Sequence, residues 1–175
     1  MKTYTYLYPQ TSGKRIRYHK MTVAEIEPLS LKAKVVSRPL NGTIPETNCC
    51  NAGYFWPYKG VLYSLSHLAS DGKNLAQNVP HGKPTGTLLV YKDGRVEIKA
   101  TDKLPPQNEL QFAVGGLTIL PLVDNIKEGF TGRYTDVLRE TKRVVLGYNP
   151  AKNKIILVGY KSMSAARGRD ALKYL

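Results

Sequence analysis

The sequence is short of cysteine, of acid and of long apolar runs, and each shortage excludes something. Only two cysteines are present, Cys49 and Cys50, and they are neighbours. Adjacent residues rarely close a disulfide, because the bridge geometry is strained. No disulfide framework can be built, which points to a reducing compartment. Two thiols are too few ligands for a structural zinc site, so the pair reads as two small buried apolar residues. No apolar stretch is long enough to cross a bilayer. Met1 to Gln10 alternates tyrosine and threonine and holds no apolar leader core. A cytoplasmic location without a membrane partner is therefore expected. Asn41-Gly42-Thr43 has the form of a glycosylation site but is discounted without a secretion signal.

Catalytic signatures are also missing. There is no phosphate-binding G-x-x-x-x-G-K-[ST] loop, no H-E-x-x-H and no G-x-S-x-G elbow. The three histidines, His19, His67 and His81, lack metal-ligand spacing. No metal and no cofactor are expected.

What is abundant is positive charge. Lysine and arginine number 26 against 13 acids, a formal net charge of +13. Such a field concentrates anions and speeds their encounter without saying which anion. Nucleic acid, acidic lipid, nucleotide and anionic glycan all stay open, beside a basic surface with no specific partner.

A chain of 175 residues fits a single domain spanning 1–175. Thr3–Tyr8 and Arg15–Val23 read as strands about a Ser12-Gly13 turn. Leu31–Val36 alternates and reads as another strand. Pro39–Pro45 reads as loop, Cys49–Trp56 as a buried turn near a cavity, and Gly60–Ser66 as a strand. Ser70–Pro84 reads as loop, with Asp71-Gly72 and His81-Gly82 as turn signals. Thr87–Ile98 carries Asp93-Gly94 between two β-rich runs, a hairpin signal. Gln111–Leu122 is an apolar run with paired glycines. Lys142–Tyr148 and Lys154–Tyr160 read as a second hairpin, buried on both faces. Ser164–Leu175 is the one convincing helix, weakened by Gly168. About nine strands to one helix give an α+β class, mostly antiparallel or mixed sheet with few helices.

Three groups of residues can carry chemistry. Asn51 and Gly53, in Asn51-Ala52-Gly53-Tyr54-Phe55, pair an orienting amide with a glycine that admits close backbone approach. Composition alone favours a plain structural turn with a buried phenylalanine. Gly115-Gly116 can present backbone N–H groups to an anion, or form a β-bulge. Arg139, Lys142 and Arg143 form the third group. Arg143 opens an apolar strand, where a guanidinium is costly unless paired. A phosphate or carboxylate satisfies it in bidentate fashion, and so does a salt bridge to Glu140 or Asp136.

The order of these pieces resembles the phosphodiester glycosidase family. The resemblance rests on Asn51-Ala52-Gly53-Tyr54-Phe55, on the hairpin Gly86–Ile98, and on Phe112-Ala113-Val114-Gly115-Gly116. Lys142–Gly147, the strand Asn153–Tyr160 and the helix from Ser164 complete it. It covers residues 48–175; residues 1–47 add N-terminal strands. The resemblance implies hydrolysis of a sugar-1-phosphodiester. It assigns Asn51 and Arg143 to catalysis, Arg143 on the phosphodiester and Asn51 orienting sugar or phosphate. Gly53, His81, Gly115, Gly116 and Arg139 become substrate-binding residues. Family members continue past the last helix into a strand ending Leu-Asp-Gly-Gly-Gly-Ser, a segment expected to begin where this sequence stops, at Leu175. Without it an incomplete site is expected, with an open sheet edge that a second copy or a partner chain can fill.

Glycoside hydrolysis ordinarily needs two carboxyl groups. Candidates are Glu46, Asp71, Glu109, Asp124, Asp136 and Glu140, while Asp93 serves the hairpin turn. Two other function classes stand beside hydrolysis. One is a non-catalytic binder of a phosphate-bearing nucleotide or glycan. The other is non-specific nucleic-acid binding through Lys14, Arg15, Arg17, Lys20, Lys32, Lys34 and Arg38, interleaved with Tyr18.

Overall fold

A computed structural model of the chain describes residues 1–34, 50, 55–58, 61–64, 66–77, 85–116, 140–164, 168, 172 and 175. The first strands are β1 (Lys2–Ser12), β2 (Arg15–Ile26), β3 (Phe55–Tyr58), β4 (Val61–Ser64) and β5 (His67–Ser70). They are followed by β6 (Lys73–Gln77), β7 (Thr85–Tyr91), β8 (Val96–Thr101), β9 (Leu110–Gly116), β10 (Thr141–Asn149) and β11 (Lys154–Met163). The chain divides into two compact units, Met1–Glu27 with Thr118–Leu175, and Pro28–Leu117.

The first unit holds a four-stranded antiparallel sheet in the order β1-β2-β11-β10. Its two hairpins follow from local turn chemistry. Gly13 takes φ +59° in the tight turn that sets Ser12 opposite Arg15. In the β10–β11 turn, Asn153 takes φ 48°, which asparagine tolerates, and Asn149 Oδ1 accepts the Lys152 N–H at 3.1 Å. Met21, Val23, Ile156, Val158, Tyr160 and Met163 form the core of one face, with Tyr4, Tyr6, Tyr8 and Val145 packed against them. Of the β10–β11 hairpin, β11 is the deeply buried strand. The expectation of a hairpin buried on both faces fails for β10, where Thr141, Lys142 and Val144 are exposed, because β10 is the edge strand of this sheet among the described residues.

The second unit holds a five-stranded antiparallel sheet, β6-β5-β9-β7-β8, and the two-stranded pair β3–β4. The β7–β8 hairpin forms as the Asp93-Gly94 signal predicts. Gly94 takes φ +87°, and Asp93 Oδ1 accepts the Arg95 N–H at 2.9 Å. Ala69, Leu89, Tyr91, Leu110 and Ala113 pack as its core, with Leu104 against them.

The chain is thus a mostly antiparallel β protein. Helical backbone among the described residues is confined to the 3₁₀ turn Pro28–Ser30, Gly168 and Leu172. Three local expectations are corrected. Leu31–Lys34 is not a strand: Leu31 N–H closes the 3₁₀ turn on Pro28 O at 3.2 Å, and Ala33 N–H is taken by Ser70 Oγ at 3.0 Å. Those donors are satisfied without a sheet partner. The stretch read as loop after Asp71-Gly72 contains β6, a polar edge strand without apolar alternation. Cys50 is exposed rather than buried, and Cys49 lies outside the described residues.

Candidate functional site

Strand register decides which polar side chains share a face, because directly paired residues point the same way. In the first unit Arg143 pairs with Tyr160, Tyr160 with Met21, and Met21 with Tyr6. Arg143 therefore stands on the core face of the sheet. It is partly buried, and its Nε is fully buried. A register shift between Thr141 and Arg143 marks the place where β10 enters the sheet, and such bulges re-aim side chains next to sites.

The same face continues toward the tip of the β1–β2 hairpin. His19, Arg17 and Arg15 follow Met21 at steps of two, paired with Tyr8, Gln10 and Ser12. Gln10, Ser12, Arg15, Arg17 and His19 line a cleft of 330 Å³, joined by Glu140. His19 Nε2 donates to Gln10 Oε1 at 2.6 Å, which fixes the ring across the ribbon. Two guanidinium groups, an imidazole, an amide and a hydroxyl form an anion-binding donor set, with Glu140 contributing one opposing charge.

The glycine pair lies in the second unit. Gly115 and Gly116 continue β9, opposite Thr87 and Gly86 of β7. Gly115 O accepts the Ser66 hydroxyl at 2.9 Å. The β5–β9 register carried one residue past Leu68↔Val114 sets Gly115 beside His67. His67 is fully buried, and its Nε2 donates to Thr101 O at 3.1 Å. That tautomer leaves Nδ1 as an acceptor with no donor among the described residues. A side chain at 115 would share the sheet face of His67 and Thr87, the residues set opposite it on either side. The register thus gives the glycine a packing role.

Among the carboxylates, Asp71 is engaged structurally, accepting Gln111 Nε2 of β9 at 2.9 Å and the neighbouring Ser70 Oγ at 3.4 Å. Glu109 sits in an exposed turn. Glu140 alone of the described candidates lines the cleft. Asn51, Gly53, His81 and Arg139 lie outside the described residues, as do Glu46, Asp124 and Asp136. Among the described residues no group of three or more metal-ligating side chains occurs. No helix among them is long and apolar enough to cross a membrane.

A separate charged cluster tightens the β7–β8 hairpin. Arg95 stacks on Tyr91, 3.6 Å from the ring centre, and bonds Glu97. Glu97 also meets Lys99 at 2.6 Å and accepts the Tyr91 hydroxyl at 3.2 Å. The Lys99 hydrogen bond holds the Glu97 carboxyl below its ordinary range, helped by the charges of Lys99 and Arg95. A depressed carboxyl stabilises the fold above its unfolded pKa and loses that contribution as pH falls through the folded one. Glu97→Gln is expected to cost a few tenths of a kcal/mol at neutral pH, since the pair is surface-exposed. Urea unfolding should show the difference closing below about pH 4.

No protein-family model and no curated protein matches this chain.

Sequence reasoning did not find the Gln10–Ser12–His19 side of the cleft, or His67 and Ser66 beside Gly115. The available signal for the first was the Ser12-Gly13 turn itself. A two-residue turn makes the register predictable and aligns Gln10 with Arg17 and Ser12 with Arg15.

Proposed function

We propose that the chain is a phosphodiester glycosidase-like α+β domain that binds a sugar-1-phosphodiester, with Arg143 on the phosphate. The reaction of that class is hydrolysis. Water replaces the phosphate oxygen at the sugar's anomeric carbon, releasing the free sugar and a phosphomonoester. The ordered motif set supports the reading, and its described parts lie on the hairpin β7–β8, the strand β9 and the hairpin β10–β11. The observation that carries it is the position of Arg143. A partly buried guanidinium is placed on the core face of the sheet, paired with Tyr160, where an anion is a natural complement.

The test is incubation of the purified chain with a sugar-1-phosphodiester and with a p-nitrophenyl phosphodiester. Free sugar release is expected, and Arg143→Ala should lower kcat/KM by roughly 100-fold or more. Arg143→Lys should fall between, since it keeps the charge but loses the planar fork. Ligand-induced thermal stabilisation without turnover, abolished by Arg143→Ala, would make the chain a non-catalytic binder. Neither turnover nor stabilisation would end the reading.

A further inference from the structure

Among the described residues the β1–β2 hairpin outruns its sheet: β11 pairs with β2 from Met21 to Ile26, and Arg15 to Lys20 pair with β1 alone. Six residues of two-stranded ribbon, about 20 Å long at the usual strand rise, thus extend past the sheet's paired region.

Its chemistry is one-sided in sign. Residues 1–24 contain Lys2, Lys14, Arg15, Arg17 and Lys20 and no acid. Lys14, Arg15, Arg17 and Lys20 are exposed, and none makes an ion pair among the described residues. One acid, Glu140, lines the cleft with Arg15, Arg17 and His19. The opposite face carries Ile16 at 58%, Tyr18 at 64% and Leu7 at 54% exposure, with Lys20 paired to Leu7. These apolar side chains share one face with Lys20 rather than lying scattered, which suits a contact surface.

We propose that this ribbon is an arm that docks in the major groove of duplex DNA and grips its phosphates without reading sequence. The groove is about 12 Å wide and admits a two-stranded β-ribbon. Cations on both ribbon faces, Arg15 and Arg17 on one and Lys20 on the other, meet phosphates on both groove walls. A membrane-lying arm would instead segregate its cations from its apolar face. Here Lys20 stands within the face of Leu7, Ile16 and Tyr18. Tyr18 and Ile16 supply apolar contact to base edges and sugars.

The test is fluorescence anisotropy of the full chain with a labelled duplex DNA of about 20 base pairs. Four phosphate contacts give a slope of log K against log salt near about −3.6, or roughly a 100-fold loss between about 50 and about 200 mM salt. Replacing Arg15, Arg17 and Lys20 together by glutamine should make that slope shallower by about 2.7. All three are exposed, so circular dichroism and thermal unfolding of the variant should match the parent. Arg143→Ala should leave DNA affinity unchanged, which separates this arm from the phosphodiester site. An unchanged slope in the triple variant would overturn the proposal. So would the absence of DNA binding, or binding to phosphatidylglycerol-containing vesicles with none to DNA.

Discussion

Gly168→Ala is expected to destabilise the chain by about 2 kcal/mol, although it exchanges a poor helix former for the best one. Two effects of opposite sign compete. Helix propensity favours alanine by up to about 1 kcal/mol. Space opposes it: a Cβ at 168 would meet the Tyr160 hydroxyl oxygen and lie 2.6 Å from Cζ and 2.8 Å from Cε1. All three separations are inside van der Waals contact, so something must move. Tyr160 is 4% exposed and belongs to the first unit's core with Met21, Val158 and Met163, so its ring cannot swing clear cheaply. Overpacking of this kind costs about 1–3 kcal/mol and outweighs propensity. The partner variants make the cause testable. Tyr160→Phe removes only the nearest atom and should rescue little, because two ring carbons stay too close. Tyr160→Leu removes all three and should show a larger favourable coupling with Gly168→Ala in a urea-unfolding cycle. A Gly168→Ala chain more stable than the parent would refute the close approach.

The same glycine shows where sequence reading stops. Read locally, Gly168 is a weak point in a helix. Read in the fold, it is the one residue type that lets Tyr160 sit where it does. The features legible in the sequence were those set by neighbours in the chain. Asp93-Gly94, Asp71-Gly72 and Ser12-Gly13 marked turns because positive φ and side-chain-to-backbone bonds are local events. The dominance of antiparallel strands followed from those turns. What was not legible depended on position within a sheet. Lys142–Tyr148 looks as apolar as Lys154–Tyr160, yet one is an edge and the other lies inside the sheet. Lys73–Gln77 is a strand with no apolar pattern, since an edge facing water needs none. The cleft brings Glu140 to Arg15 across most of the chain's length, a juxtaposition no spacing rule predicts. Arg143 was legible as an anomaly, a charge opening an apolar strand, and the register places it on the core face.

The paired glycines of β9 are expected to part company when each is given a side chain. Gly116→Ala should leave stability within about 0.5 kcal/mol of the parent, because nothing lies within 4 Å of the added Cβ. Gly115→Val should cost about 3 kcal/mol. Register places a side chain at 115 between His67 and Thr87, both 0% exposed. The imidazole would be pushed off Thr101 O, leaving a buried donor unsatisfied. His67→Ala should cost a similar amount, through the lost hydrogen bond and the void. The double variant should cost clearly less than the sum, since the alanine vacates the space that valine needs. Thermal and urea unfolding of the four chains would measure this. Strict additivity would mean that Gly115 does not serve His67. The pair also separates packing from ligand contact within one dipeptide. If Gly116 lines a substrate site, Gly116→Ala should raise KM for a sugar-1-phosphodiester while the unfolding curve stays in place. Damage at Gly115 should appear first in stability, and in turnover only through it.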